Sequence, residues 1–370
     1  MTFRSLAWAG FCAVLVPVIG ATGNWTQPMT APLVAALQAP DPQSLPVGGS
    51  RIEQRSAATG LKAAVEAVRR ATPGPVWLAW SVPAVERASD DGRMRGPETC
   101  VLEDDGDVRQ SGRGYSGETG DLVLLLRHER NAPDRLAFTD GRCTVDAGKR
   151  AVYWLDQVAP AQSVALVAAM VRATAGAEDK PARRPARQAL PALALHADGS
   201  AAQALTAFVA ADQPHWLRRD AAFWLGAARG EAGARVVRRL VREDADSRFR
   251  EHLMFVLTLT PDAGVDDLIA AARIDESAAV RRQALFWLGQ QAGKRAIATL
   301  TEVMKDDPDR EVRRHAVFAL SQLPKDEGVP RLIEVARSHR DPEVRKQAMF
   351  WLGQSGDERA IRFFEETLSK

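Results

Sequence analysis

Val280-Arg281-Arg282-Gln283-Ala284-Leu285-Phe286-Trp287-Leu288-Gly289 is the stretch from which the fold of the C-terminal half can be read. At 3.6 residues per turn, positions 280, 284, 287 and 288 share one face, so the segment is an amphipathic helix. Gly289 and Gly293 bracket an expected turn. A second helix follows, with Ile297, Leu300, Val303 and Met304 on one side. The pattern returns along the chain. Its phenylalanine recurs as Phe223, Phe255, Phe286, Phe318 and Phe350, at gaps of 32, 31, 32 and 32. Val312–Ser321 and Val344–Gly353 are later copies, Leu217–Gly226 keeps the Phe-Trp-Leu-Gly ending, and Phe249–Thr258 diverges most. One period upstream, Arg187–Leu195 and Ala201–Ala210 supply a degenerate sixth unit beside the five clear ones. Neither helix of a unit can bury its apolar stripe alone, so neighbouring units must stack around a shared core. The expected fold is mainly α, an α-α solenoid over 186–370 preceded by a small α+β domain.

Two copies carry a fuller signature, Asp307-Pro308-x-x-x-Val312-Arg313-x-x-Ala316 and Asp341-Pro342-x-Val344-Arg345-x-x-Ala348. This resembles the short HEAT repeats of the phycobilisome-lyase type, although the copies at 249 and 280 lack the Asp-Pro pair. Such repeats occur in scaffolds, adaptors and a few lyases. The resemblance therefore implies a solenoid that binds protein, with a HEAT-type lyase as the alternative. An arginine follows the opening apolar residue in every copy: Arg218, Arg250, Arg281, Arg313 and Arg345. Such a ladder suits either an anion site or a structural role. The resemblance implies the second, each arginine pairing with acids between repeats. Trp224, Trp287 and Trp351 fall on the apolar face and are expected in the core. The resemblance also implies that the second helices line the concave surface. Glu302, Glu334 and Glu366, at gaps of 32, would then form an acidic row meeting basic residues of a protein partner. Arg242 and Ala271 stand near the same place in the earlier repeats, which confines that row to the C-terminal half.

Ahead of the repeats the pattern changes. Helical stretches are expected at Leu61–Ala71 and Pro160–Thr174, and strands at Val76–Val82, Thr99–Leu102, Leu122–Leu126, Arg135–Thr139 and Ala151–Leu155. Turns rich in glycine and aspartate separate them, notably 104–106 and 111–120. This is the α+β domain, over 51–175, with a basic, proline-bearing linker after it at 176–185. Residues 24–50 carry Pro28, Pro32, Pro40, Pro42 and Pro46 and end in Val47-Gly48-Gly49-Ser50, a linker that cannot hold a continuous helix.

Residues 1–23 read as an export signal: Arg4, an apolar run from Leu6 to Ile19, then small residues at 20–23. The alternative is an uncleaved membrane anchor, which would suit an envelope sensor or structural protein. Phe11 before Cys12 is wrong for lipid attachment. The expected location is exported, periplasmic or extracellular. Removing the signal leaves Cys100 and Cys143, a pair expected to form a disulfide.

Composition narrows the function. The net charge is only +2, and residues 183–370 hold 30 basic and 27 acidic residues, so no electrostatic footprint for nucleic acid appears. His252 and His315 occupy equivalent positions two repeats apart, on the order of 20 Å, too far to share a metal. The remaining histidines, at 128, 196, 215 and 339, are scattered, and no metal or cofactor motif is present. Ser116, in Gly114-Tyr115-Ser116-Gly117, lacks the strand-to-helix context of a nucleophile elbow, and Gly112-x-Gly114 lacks the third glycine of a dinucleotide loop. The sequence thus points to an exported protein-binding scaffold without catalytic residues. An enzyme with its chemistry in residues 51–175 is the alternative.

Overall fold

The structure, a computed structural model, describes residues 52–85, 99–103, 120–129, 132–141, 144–291 and 293–369. The export segment, the proline-rich stretch, Gly112, Gly114, Ser116 and Cys143 lie outside the described residues.

The first part is a mixed sheet with helices. In chain order it comprises β1 (Ile52–Ser56), α1 (Leu61–Ala71), β2 (Val76–Pro83), β3 (Thr99–Val101), β4 (Asp121–Glu129), β5 (Ala132–Thr139), β6 (Thr144–Asp146), β7 (Val152–Asp156) and α2 (Pro160–Thr174). Five strands lie in the order β1-β7-β2-β4-β5, with β7 parallel to both neighbours and β4 antiparallel to both of its own. β3 and β6 form a separate parallel pair. Alternation along β2 explains why it reads as an unbroken apolar run. Leu78, Trp80 and Val82 face the main core, while Trp77 and Ala79 join Leu102, Val123, Val145 and Trp154 in a second cluster on the other sheet face. β1 and β6, missed in the sequence, are short and polar, so they lack the apolar signal by which strands are found.

The second part consists of helix pairs. They are α3 (Arg184–Leu195) with α4 (Gly199–Phe208), α5 (His215–Ala228) with α6 (Gly230–Glu243), α7 (Ser247–Leu257) with α8 (Val265–Ile274), α9 (Ala278–Gln291) with α10 (Lys294–Asp306), α11 (Arg310–Ser321) with α12 (Lys325–Ser338), and α13 (Pro342–Ser355) with α14 (Glu358–Leu368). Val280, Ala284 and Leu288 are fully buried in α9, and Leu300, Val303 and Met304 in α10 face the same core. Gly289 does not lie in the turn as expected. It sits inside α9, where an added Cβ would stand 2.8 Å from the Ala319 carbonyl oxygen of α11. The equivalent Gly226 would meet Val256 Cγ1 at 2.7 Å. The glycine is there because the backbones of neighbouring first helices approach too closely for a side chain.

Residues 176–183 connect the two parts, which are in direct contact. α3 packs on both α2 and β5, and Gln188 Oε1 accepts the Leu136 amide of β5 at 3.1 Å. The chain after α3 bridges to the end of β2 through Ala84 and His196, with Val85 N–H to Leu195 O at 2.8 Å. One contiguous buried cluster runs from Ala57 to Phe363.

Candidate partner-binding surface

The arginine ladder is built by the loops between repeats. Arg250 Nε and Nη2 donate to Asp275 at 2.9 and 3.0 Å, and Arg281 donates to Asp307 at 2.7 and 3.0 Å. Arg218 donates to Asp244 through Nη2 alone, its Nε donating instead to Val209 O at 3.1 Å. Each of these three partners is the first acid of the loop that opens the next repeat. A second donor caps the turn preceding the arginine: Arg250 to Asp244 O at 2.6 Å, Arg281 to Asp275 O at 2.7 Å, Arg313 to Asp307 O at 2.8 Å. Arg218, Arg250 and Arg281 are buried, as is Asp307, so their planar forks are committed within the chain. At the C-terminal end the pattern changes. His339 stands where Asp244, Asp275 and Asp307 stand earlier, and Arg313 reaches instead to Asp341, the cap of α13, at 3.1 Å. Among the described residues Arg345 donates only to carbonyls, chiefly His339 O at 2.7 Å.

The acidic row is not bare. Glu302 pairs with Arg273 at 2.6 Å, Glu334 with Arg331 at 3.0 Å and Glu366 with Arg337 at 2.7 Å. Nor do the second helices line the inner side. Neighbouring first helices contact one another far more extensively than neighbouring second helices do. The second helices are linked across a wider gap by long pairs such as Arg238–Asp267 at 3.0 Å and Arg273–Glu302. A stack that is tight on one side and splayed on the other bends toward the tight side. The first helices therefore form the inner face, and Glu302, Glu334 and Glu366 lie on the outer one.

The inner face carries aromatic rings. Phe223 stacks on Phe255 at 6.3 Å, and Phe286 on Phe318 at 6.3 Å. Trp287 links Phe255 to Phe286 at 5.4 and 5.0 Å, and Trp351 continues from Phe318 at 5.1 Å to Phe350. The three tryptophans are half-buried, so they pack against the core and also reach the surface. Phe350 is 53 % exposed. His252 and His315 lie beside the rings of Phe255 and Phe318. Burial, and then nearby Arg219, pulls His252 down to about 4, and burial with Arg282 lowers His315, so both are neutral near pH 7. One turn before four of the phenylalanines stand cations, Arg219, Arg282, Arg314 and Lys346, with Glu251 at the remaining repeat. The row was not among the sequence expectations, although it recurs in the same register one position after the ladder arginine.

One buried constellation resembles a reactive one. Trp80 Nε1 donates to Ser163 Oγ at 2.8 Å, and Ser163 Oγ lies 2.8 Å from His196 Nε2. His196 Nδ1 lies 2.8 Å from Ala192 O, which only accepts, so Nδ1 carries the proton and Nε2 accepts from the serine hydroxyl. All three side chains are fully buried, and burial depresses His196 to about 4. A base so weak, sealed from any substrate, ties the sheet to α2 and α3 rather than activating Ser163.

Among the described residues no group of three His, Cys, Asp or Glu side chains is placed to hold a metal ion. No described helix is long and apolar enough to cross a membrane.

Residues 265–337 and 297–370 match the family model for HEAT repeats. No curated protein matches the chain. Among solved structures, the chain is similar to the CpcE–CpcF complex of phycocyanin lyase from Nostoc at 20% identity, over 56% of this chain and 80% of that one, with a TM-score of 0.29. It is similar to human deoxyhypusine hydroxylase in complex with glycerol at 18% identity, over 57% and 80%, with a TM-score of 0.28. Similarity to Kap95p, whose binding induces the switch loops of RanGDP to adopt the GTP-bound conformation, is 16% over 53% of this chain and 30% of that one, with a TM-score of 0.36. None of these likenesses bears on function. The recurring Val-Arg-x-x-Ala helices, their paired stacking and the match over 265–370 together place the C-terminal region of this chain in the HEAT-repeat family.

Proposed function

We propose that this chain is an exported protein-binding scaffold that presents the inner, first-helix face of its solenoid to a polypeptide partner. The observation that carries this reading is the half-exposed ring ladder from Phe223 to Phe350, which offers apolar area and cations across successive repeats. Large, rigid aromatic side chains with flanking arginine are the residues that dominate protein interfaces. Export rests on residues 1–23, and with it a disulfide between Cys100 and Cys143. Cys100 pairs in register with Val145, two residues beyond Cys143 in the chain. Intact mass of the exported protein with and without reductant tests that bond, and two free thiols exclude it.

The functional test is site-specific photo-crosslinking of the full chain in its native cell. A crosslinker replacing Phe350 or Phe286 is expected to capture a protein, while one replacing Lys305 on the outer face is not. Capture from the outer face alone, or from neither face, overturns the reading.

A further inference from the structure

We propose that the cleft between α9, α11 and α13 captures carboxylate side chains from an extended acidic segment of a protein partner. This rests on the scaffold reading and names the chemistry of its partner. The cleft has a volume of about 530 Å³ and is lined by Arg282, Glu311, Arg314, His315, Phe318, Gln347 and Trp351. Its charge is not balanced. Arg314 is held by Glu311 at 3.0 Å, but among the described residues Arg282 forms no ion pair or hydrogen bond. That unpaired guanidinium is close enough to help keep His315 neutral. Trp351 contributes an aromatic surface to the same cleft, while its indole N–H is buried. A guanidinium without an acid asks for an oxygen anion.

The surroundings favour a peptide over a free anion. Phe318 and Trp351 continue the ring ladder, so the wall beside the cations is apolar and suits aliphatic or aromatic side chains. Lys346, exposed on α13, lies one repeat beyond Arg314. Neighbouring helices pack about 8–10 Å apart, which an extended chain covers in roughly three residues. A segment with an acidic residue at every third position, apolar residues between, would place its carboxylates on successive cations of the row. Nucleic acid would also answer to the cations, but the cleft-lining Glu311 and the balanced charge of the repeats weigh against a phosphate backbone.

The test is selection of short random peptides by display on the full chain, run in parallel on a double variant, Arg282→Gln with Arg314→Gln, and on an outer-face control, Lys294→Gln with Lys305→Gln. Circular dichroism verifies that each is folded. Selected peptides are expected to be rich in Asp and Glu among apolar residues. They should bind the cleft variant about tenfold more weakly, and more weakly as salt rises, while the control binds as the parent does. Binding of the same peptide should raise the His315 pKa, read by NMR, because the new carboxylate offsets Arg282. Three results overturn the proposal: selected peptides without acidic enrichment, acidic preference that survives in the cleft variant, or tighter binding of a single-stranded oligonucleotide. Enrichment without acidic preference leaves the scaffold reading standing. No enrichment at all overturns the carboxylate cleft and leaves the scaffold to the crosslinking test.

Discussion

At the residue scale, the ladder arginines differ in what they lose on removal. Arg281 and Asp307 are both buried, so Arg281→Ala strands a carboxylate without its partner and is expected to cost about 3–5 kcal/mol. Arg313, more exposed and tied to Asp341, should cost clearly less. Urea denaturation of the two variants orders them, and equal losses would contradict this account. His339 is the odd member of its series. Its Nδ1 accepts the Asp341 amide at 3.1 Å, as Asp307 Oδ1 accepts the Asp309 amide at 2.8 Å, yet its buried Nε2 has no partner among the described residues. His339→Asp keeps the amide bond and offers Arg313 a second carboxylate, for an expected gain of about 1 kcal/mol. A lower melting temperature would count against it. His196 sets a pH dependence. Its folded pKa of about 4 lies below the unfolded value of about 6.5, so the stability is complete above that value. As pH falls from about 6.5 to 4 the unfolded chain gains a proton that the folded one refuses, and on the order of 3 kcal/mol is lost. The pH slope of unfolding should therefore flatten in His196→Gln. An unchanged slope places the titration elsewhere.

At the scale of the element, the same glycine has opposite value in two helices. Gly289→Ala pushes a methyl against the Ala319 carbonyl and must force α9 from α11, at an expected cost of about 1–3 kcal/mol. Gly353, the equivalent residue of α13, meets nothing within 4 Å, so Gly353→Ala should gain about 0.5–1 kcal/mol from helix propensity alone. Thermal melts of both variants test the pair, and a neutral Gly289→Ala would mean that the stack gives way easily. Helix starts follow a common device. Asp246, Asp309, Asp341 and Asp357 each cap their helix by accepting an amide two residues on. The Asp-x-Asp loops thus divide their labour: in 244–246 and 307–309 the first acid takes the arginine of the previous repeat and the second starts the next helix.

At the scale of the molecule, the sheet and the solenoid share one core, and α3 belongs to both. A fragment of residues 51–175 leaves β5 and α2 without α3, and leaves Ser163 without His196. It should lack the near-UV signal of the buried Trp80, while a fragment extended to residue 210 regains it. A native-like spectrum from the shorter fragment would show that the sheet stands alone. The repeats were legible because each unit repeats its own local signals, an apolar stripe at 3.6 spacing, a recurring arginine and a capping aspartate, which depend on residues near in sequence. β2, β4 and α2 were legible for the same reason. The acidic row was also visible as spacing, but its arginine partners and its outer position were not. Bending direction depends on how closely helices about 32 residues apart approach, a property of pairs distant in the chain. The sequence by itself determined that paired helices must stack, because neither helix can bury its stripe alone. Only the packing of distant segments fixes which helices line the inner face, and so brings Arg282 of α9 and Trp351 of α13, two repeats apart, into the lining of one cleft.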